Sequence, residues 1–228
     1  MTGDEPGRGQ LRLDLTRDDA GRERPFVVSG CNAAAVARLA AWPDALTPVL
    51  ALVGPRGSGK SRLAAEWAER VGAVPVHGAE ASLLDPLEVE GRPILLDRAP
   101  DADDETLFHL INLARSGGGA LLLVARSAPS AWETALPDLR SRLDSIPTVS
   151  LDAPDDAVLA EMLEAEFARR AIAPPPDLIP WLLRRIERSA GAVETAVSRL
   201  DAEPGSVSRA TARRIFGALG PGDEEEKN

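Results

Sequence analysis

Cysteine is almost missing from this chain. Cys31 is the single one among 228 residues, which excludes an intramolecular disulfide and a thiolate metal cluster and fits a reducing cytoplasm. Histidine is nearly as scarce, and His77 and His109 have no His, Cys or carboxylate partner at ligand spacing, so both read as structural residues. Long apolar runs are absent too. The first residues carry charges and glycines where a signal peptide needs an apolar core, and no later stretch has the span of a bilayer, so a soluble protein without membrane contact is expected. Positive charge is in deficit, with 26 Lys and Arg against 36 Asp and Glu for a formal net charge of -10, and such a surface repels the phosphate backbone. Direct, sequence-specific DNA binding is therefore not expected.

What is present comes in blocks. A chain of this length accommodates one sizeable core and a small second unit. Residues 1–9 and 17–24 hold almost nothing apolar, which predicts a mobile segment. Between them "QLRLDL" places Leu11, Leu13 and Leu15 on one face of an extended stretch, and a lone short strand needs a sheet to join. From Phe26 the texture changes, with "FVV" extended and "NAAAVARLAAW" helical. The runs "PVLALV", "AVPVH", "PILLD", "ALLLVA" and "TVSL" alternate with helical stretches, the pattern of a five-stranded, mainly parallel sheet buried on both faces. After Leu151 four segments read helical: "PDDAVLAEMLEAEFARRA", "PPDLIPWLLRRIERSAG", "AVETAVSRLD" and "SVSRATARRIFGALG". The expected organisation is a mobile segment over 1–25, an α/β core over 26–152, a small all-α domain over 153–220 and an acidic tail over 221–228. Trp42, Trp67 and Trp181 fall on apolar faces and read as core, while Trp132 is left open between core and interface.

One stretch carries chemistry. "LVGPRGSGKSRLAAEWAERVG" sets Gly54, Pro55, Arg56, Gly57, Ser58, Gly59, Lys60 and Ser61 in the spacing G-x-x-x-x-G-K-S, after an apolar strand and before an amphipathic helix. In a P-loop of this kind backbone N–H groups close around phosphate oxygens, the lysine reaches the terminal phosphates and the serine hydroxyl ligates magnesium. Asp97, ending "PILLD", stands where the second magnesium ligand belongs, so ATP or ADP with Mg is the expected cofactor. A second carboxylate beside it usually orients the attacking water. Here that neighbour is Arg98, with Asp101 and Asp103 as the acids in the following loop, so unaided turnover is expected to be slow or absent.

With the P-loop, the sheet pattern and the helical remainder together, nearly the whole chain resembles the Hda family of DnaA-related AAA+ proteins, which promote inactivation of the replication initiator DnaA. The resemblance implies an α/β P-loop AAA+ core followed by a small all-α lid. It implies that "QLRLDL" is a hexapeptide for the DNA polymerase III sliding clamp (β subunit), with the Gln10 amide as polar anchor and Leu11, Leu13 and Leu15 in an apolar groove. Asp14 stands where such motifs often have proline. "FVVSGCNAAAVARL" resembles the segment that helps form an adenine pocket, with Val27 and Val28 against the nucleotide. "LPDLRSRLDS" resembles the box holding an arginine finger, which maps to Arg142 and would act in trans on a neighbour's γ-phosphate. Two positions depart from the pattern. Arg126 follows Val124 and Ala125 where an acidic sensor residue is usual, and Gly191 occupies the place of the lid's sensor arginine, with Arg188 as a stand-in.

These implications make DnaA and the clamp the expected partners, and a cytoplasmic, replisome-associated adaptor that stimulates hydrolysis of DnaA-bound ATP the expected function. A helix-turn-helix DNA reader is not expected, and homodimer formation is left open. An autonomous ATPase that loads or remodels, and a nucleotide-gated adaptor recruited to the clamp, are the alternatives.

Overall fold

A computed structural model describes residues 26–43, 46–85, 89–117 and 119–217. Five strands, β1 (Val49–Val53), β2 (Val74–His77), β3 (Ile94–Asp97), β4 (Leu121–Ala125) and β5 (Thr148–Ser150), form one sheet in the order β2-β3-β4-β1-β5. Every pairing is parallel. The two central strands, β1 and β4, are buried at every position, which is why they read as unbroken apolar runs rather than as alternations.

Alternate residues of each strand feed two separate cores. Val49, Ala51, Val53, Leu121 and Leu123 point to one side, against Leu107, Leu110 and Ile111 of α3 (Asp104–Gly117) and Leu139 and Leu143 of α4 (Pro137–Asp144). Leu50, Leu52, Leu122 and Val124 point to the other, against Ala35 and Leu39 of α1 (Ala33–Ala40) and Leu63, Ala64 and Trp67 of α2 (Lys60–Val71). The result is a three-layer sandwich whose strand carboxyl ends all open on one edge, where ligands of parallel α/β sheets bind.

Three tryptophans settle into these layers. Trp42, two residues beyond α1, stacks on Trp67 at 5.0 Å between ring centroids, and Trp67 Nε1 donates to the Trp42 carbonyl. Trp132 belongs to the interior: it is buried in the α3/α4 core, and its Nε1 donates to the Ser127 carbonyl at 3.0 Å.

Beyond β5 the described residues are helical: α5 (Asp156–Arg169), α6 (Leu178–Leu183), α7 (Ala190–Asp201) and α8 (Arg209–Phe216). They enclose a core of their own around Leu159, Phe167, Trp181, Val197 and Leu200. Side-chain caps start three of them, with Asp155, Ser189 and Ser208 accepting from the N–H groups of Val158, Ala192 and Thr211. The helical reading of "PPDLIPWLLRRIERSAG" is too long. The helix stops at Leu183, the Arg185 N–H turns back to the Leu182 carbonyl, and Ser189 caps a new helix at Ala190. Among the described residues no helix is long and apolar enough to cross a membrane.

Candidate functional site

The carboxyl end of β1 runs directly into the glycine loop, and the loop into α2. Backbone, rather than side chains, dictates the glycine at its start. A Cβ on Gly54 would lie 2.2 Å from the Leu151 carbonyl oxygen, so the loop leaves the sheet pressed against the end of β5. At Gly57 φ is +76°, and a Cβ there would stand 2.7 Å from that of Ser189. The Ala190 N–H also donates to the Gly57 carbonyl at 3.3 Å, so the loop is wedged between the sheet and the first turn of α7.

Lys60 is 9 % exposed at the start of α2 and folds back over the loop. Its ammonium donates to the carbonyls of Gly54 and Pro55, both at 2.7 Å, and to Ser58 Oγ at 3.3 Å. Burial holds its pKa below the ordinary 10.5; the Asp97 charge opposes that shift and the Arg126 charge adds to it. Lys60, Asp97 and Arg126 therefore share one electrostatic neighbourhood. Asp97, half-buried at the end of β3, accepts the N–H of Arg98 on Oδ1 at 2.9 Å, and Arg98 itself is left-handed at φ +50°. Ser61 is exposed in the first turn of α2. The donor set fits magnesium: a hydroxyl and a carboxylate are hard oxygen ligands, and phosphate oxygens complete such sites.

The segment ahead of α1 lies against this loop. Phe26 is the neighbour a Cβ on Gly59 would meet, and the Arg62 guanidinium carbon sits 5.6 Å from the centroid of its ring. Val28 is 55 % exposed. Val27 is held by a residue that pattern reading missed: buried Asn32 donates from Nδ2 to the Val27 carbonyl at 2.8 Å and accepts the Ser29 N–H on Oδ1 at 2.9 Å. An Asn just ahead of an alanine-rich helix is a cap signal, and its side chain fixes the segment that precedes the helix.

A cleft of about 740 Å³ opens between the loop and the helical domain, lined by Arg56, Gly57, Arg185, Ser189, Gly191 and Phe216 among others. Gly191 has nothing within 4 Å of where a Cβ would be, so the position is open to larger side chains. Arg188 is engaged with the segment leading into α5: its guanidinium donates to the Pro154 carbonyl at 3.3 Å and to Asp156 at 2.6 Å. From the helical side the cleft is lined by Arg185, stacked 4.1 Å from the Trp181 ring centroid, and from the loop by Arg56. Asp103 is likewise engaged elsewhere. It accepts from the N–H and the hydroxyl of Thr106 at the start of α3, which holds its carboxyl below the usual range, and Asp101 stays exposed.

Arg142 stands apart from the loop. It lies in the last turn of α4 with its guanidinium carbon 4.8 Å from the Phe108 ring centroid on α3. Gln10, Leu11, Leu13, Asp14 and Leu15 fall outside the described residues.

Solved structures share this architecture. Domain III of the Thermotoga maritima replication initiation protein DnaA superposes with a TM-score of 0.66 at 17% identity, over 84% of this chain and 94% of that one. AMPPCP-bound DnaA from Aquifex aeolicus gives 0.60 at 15% identity, over 78% of this chain and 63% of that one. A lysine-to-arginine point mutant of Thermotoga maritima RuvB gives 0.58 at 15% identity, over 81% and 67%. The chain thus spans less than two thirds of the longer DnaA. Neither a protein-family model nor a curated protein sequence matches it. At these identities the likeness shows the fold: a five-stranded parallel α/β core with a glycine loop after β1, followed by a small all-α unit, similar to that of DnaA domain III.

Proposed function

We propose that this protein is a nucleotide-holding regulator of replication initiation, which binds ATP or ADP without turning it over and stimulates hydrolysis of ATP on DnaA. The observation that carries this reading is the contrast around Lys60: the glycine loop leads into Lys60 and Ser61, and Asp97 acts on the Lys60 charge, yet Arg98 follows β3 where a second acid would orient water and Arg126 follows β4 where an acidic sensor residue is usual. A guanidinium stays protonated throughout the accessible pH range and cannot serve as a base. Magnesium held by Ser61 and Asp97 would neutralise charge on the β- and γ-phosphate oxygens. Lys60, released from the loop carbonyls, would reach the terminal phosphates, and Val27 and Val28 would flank the base.

The function toward a partner rests on Arg142. Its guanidinium lies over Phe108 on α3 and, among the described residues, makes no hydrogen bond or ion pair with the chain's own P-loop, which supports action on a neighbouring subunit's nucleotide. Clamp binding through Gln10, Leu11, Leu13, Asp14 and Leu15 would concentrate the protein on replicating DNA, where DnaA is to be inactivated. The test is conversion of labelled ATP prebound to DnaA in the presence of this protein, clamp loaded on DNA, and ADP. Conversion that needs the clamp and falls by about 10³ or more in Arg142→Ala supports the reading. Equal conversion by Arg142→Ala assigns the protein to clamp recruitment without a finger, and no conversion by the wild type removes DnaA as the target.

A further inference from the structure

Residues 151–155 join β5 to α5, and on the way they pass both the glycine loop and the segment ahead of α1. The Leu151 carbonyl presses on Gly54. One residue on, the Asp152 N–H donates to the Cys31 carbonyl at 3.0 Å. Asp155 then caps α5, its Oδ1 accepting the Val158 N–H at 3.0 Å. Capping alone does not need a carboxylate, since serine and asparagine serve as well. The carboxylate has spare acceptor positions, and the Ser29 hydroxyl and the Cys31 N–H use them. With the hydroxyl proton directed at Asp155, the Cys31 thiol, 3.1 Å away, is left to donate to Ser29 Oγ. Ser29 is thus held from both sides of the domain boundary: buried Asn32 of the core accepts its N–H at 2.9 Å, and Asp155 of the helical domain accepts its hydroxyl. Arg188, which donates to the Pro154 carbonyl at 3.3 Å, ties the same connection to the helix whose first turn meets Gly57.

We infer that Asp155 is a positioning residue for the nucleotide base: it holds residues 27–29 in the binding conformation before the base arrives, and makes that conformation depend on where the helical domain sits. On the function proposed above Val27 and Val28 flank the base, and this role for Asp155 rests on that reading. Residues 26–29 belong to no helix or strand, so ordering them on binding would cost backbone entropy. A segment tied down in advance avoids that cost, whereas a segment in place only part of the time lowers affinity by the fraction in place. Two consequences separate this role from a plain helix cap. Loss of the tie weakens ligands that carry a base and spares those that carry only phosphates, and the loss appears equally from the Ser29 side, which caps nothing at α5.

Calorimetric titration of the full chain with ADP, AMPPCP and inorganic tripolyphosphate, in magnesium, tests this on wild type, Ser29→Ala, Ser29→Thr, Asp155→Ser, the double variant of Ser29→Ala with Asp155→Ser, and Lys60→Ala. Tripolyphosphate can engage the loop but carries no base. Ser29→Ala and Asp155→Ser are each expected to weaken ADP and AMPPCP by about fivefold, the loss of a hydrogen bond to a charged group discounted for partial exposure, and to leave tripolyphosphate unchanged. The double variant falls no further than either single one, because both remove the same bond, and Ser29→Thr keeps wild-type affinity. Asp155→Ser retains a capping oxygen for α5, so melting temperatures stay near that of the wild type. Nucleotide affinity unmoved in Ser29→Ala, an equal loss for tripolyphosphate, or losses that multiply in the double variant overturns the positioning role, while nucleotide binding that depends on Lys60 still stands. A wild type that binds neither nucleotide removes the nucleotide reading and this role with it.

Discussion

The glycine loop and the rim around it obey different constraints. In the loop, residue identity is imposed by backbone proximity: the Leu151 carbonyl leaves no room for a Cβ at Gly54, and Ser189 leaves none at Gly57. On the rim, Arg98, Arg126 and Gly191 are exposed, and none is required by packing. The shape of the glycine loop is thus part of how sheet, loop and helical unit fit together, whereas the rim groups are surface side chains free to change. On the function proposed above, binding and turnover are separable on this fold, and this chain would keep the first.

The largest break in that contrast is Lys60→Ala. It should lower nucleotide affinity on the order of a hundredfold, since a hydrogen bond to a charged group is worth roughly 1.5–3 kcal/mol, with thermal unfolding little changed. Calorimetric titration reads the first and differential scanning calorimetry the second. Gly54→Ala acts on the other variable. Forcing a methyl against Leu151 should cost about 1–3 kcal/mol of stability, the usual range for overpacking, seen as a lowered urea midpoint even without nucleotide.

Gly191→Arg sharpens the comparison from the rim side. The position is open and in the first helical turn beside the cleft, so the variant should fold normally and bind triphosphate about three- to tenfold tighter, the yield of one added partly exposed charge contact. Unchanged affinity in a nucleotide-displacement assay would mean the lid does not close over the phosphates. The smallest effect is at the hinge into the helical domain. Asp155 is held below its ordinary 3.8 by hydrogen bonds from Ser29 and from the Val158 N–H. Its stabilisation is therefore complete above that value and lost as pH falls through the lower folded pKa. Asp155→Ala should cost about 1 kcal/mol at neutral pH, a difference that disappears in acid unfolding below the lowered pKa.

The sheet was legible because β1 and β4 are buried on both faces and leave unbroken apolar runs, and the loop because its glycine spacing has few other uses. The lid was legible in helix content but not in its breaks: whether a helix runs through 184–189 depends on Ser189 capping the next one. Arg185 and Arg188 are near neighbours in sequence; the first lies on Trp181, four residues before it, while the second is tied down by Asp156, 32 residues away, a pairing only tertiary packing decides. The engagement of Asp103 with Thr106 could have been read locally, as an acid three residues ahead of a helical N–H. The approach of Leu151 to Gly54 could not, because it joins the ends of two strands far apart in sequence.

The most direct test of the proposed function, binding without turnover, is a single-turnover experiment. Labelled ATP is prebound to the purified full chain with magnesium, at concentrations spanning monomer to oligomer, and bound ATP and released phosphate are followed together. Stoichiometric, Lys60-dependent occupancy is expected, with the ATP recovered intact at every concentration. Phosphate release that rises with protein concentration and vanishes in both Lys60→Ala and Arg142→Ala would contradict it, and would make the protein an ATPase completed by its own neighbouring copies.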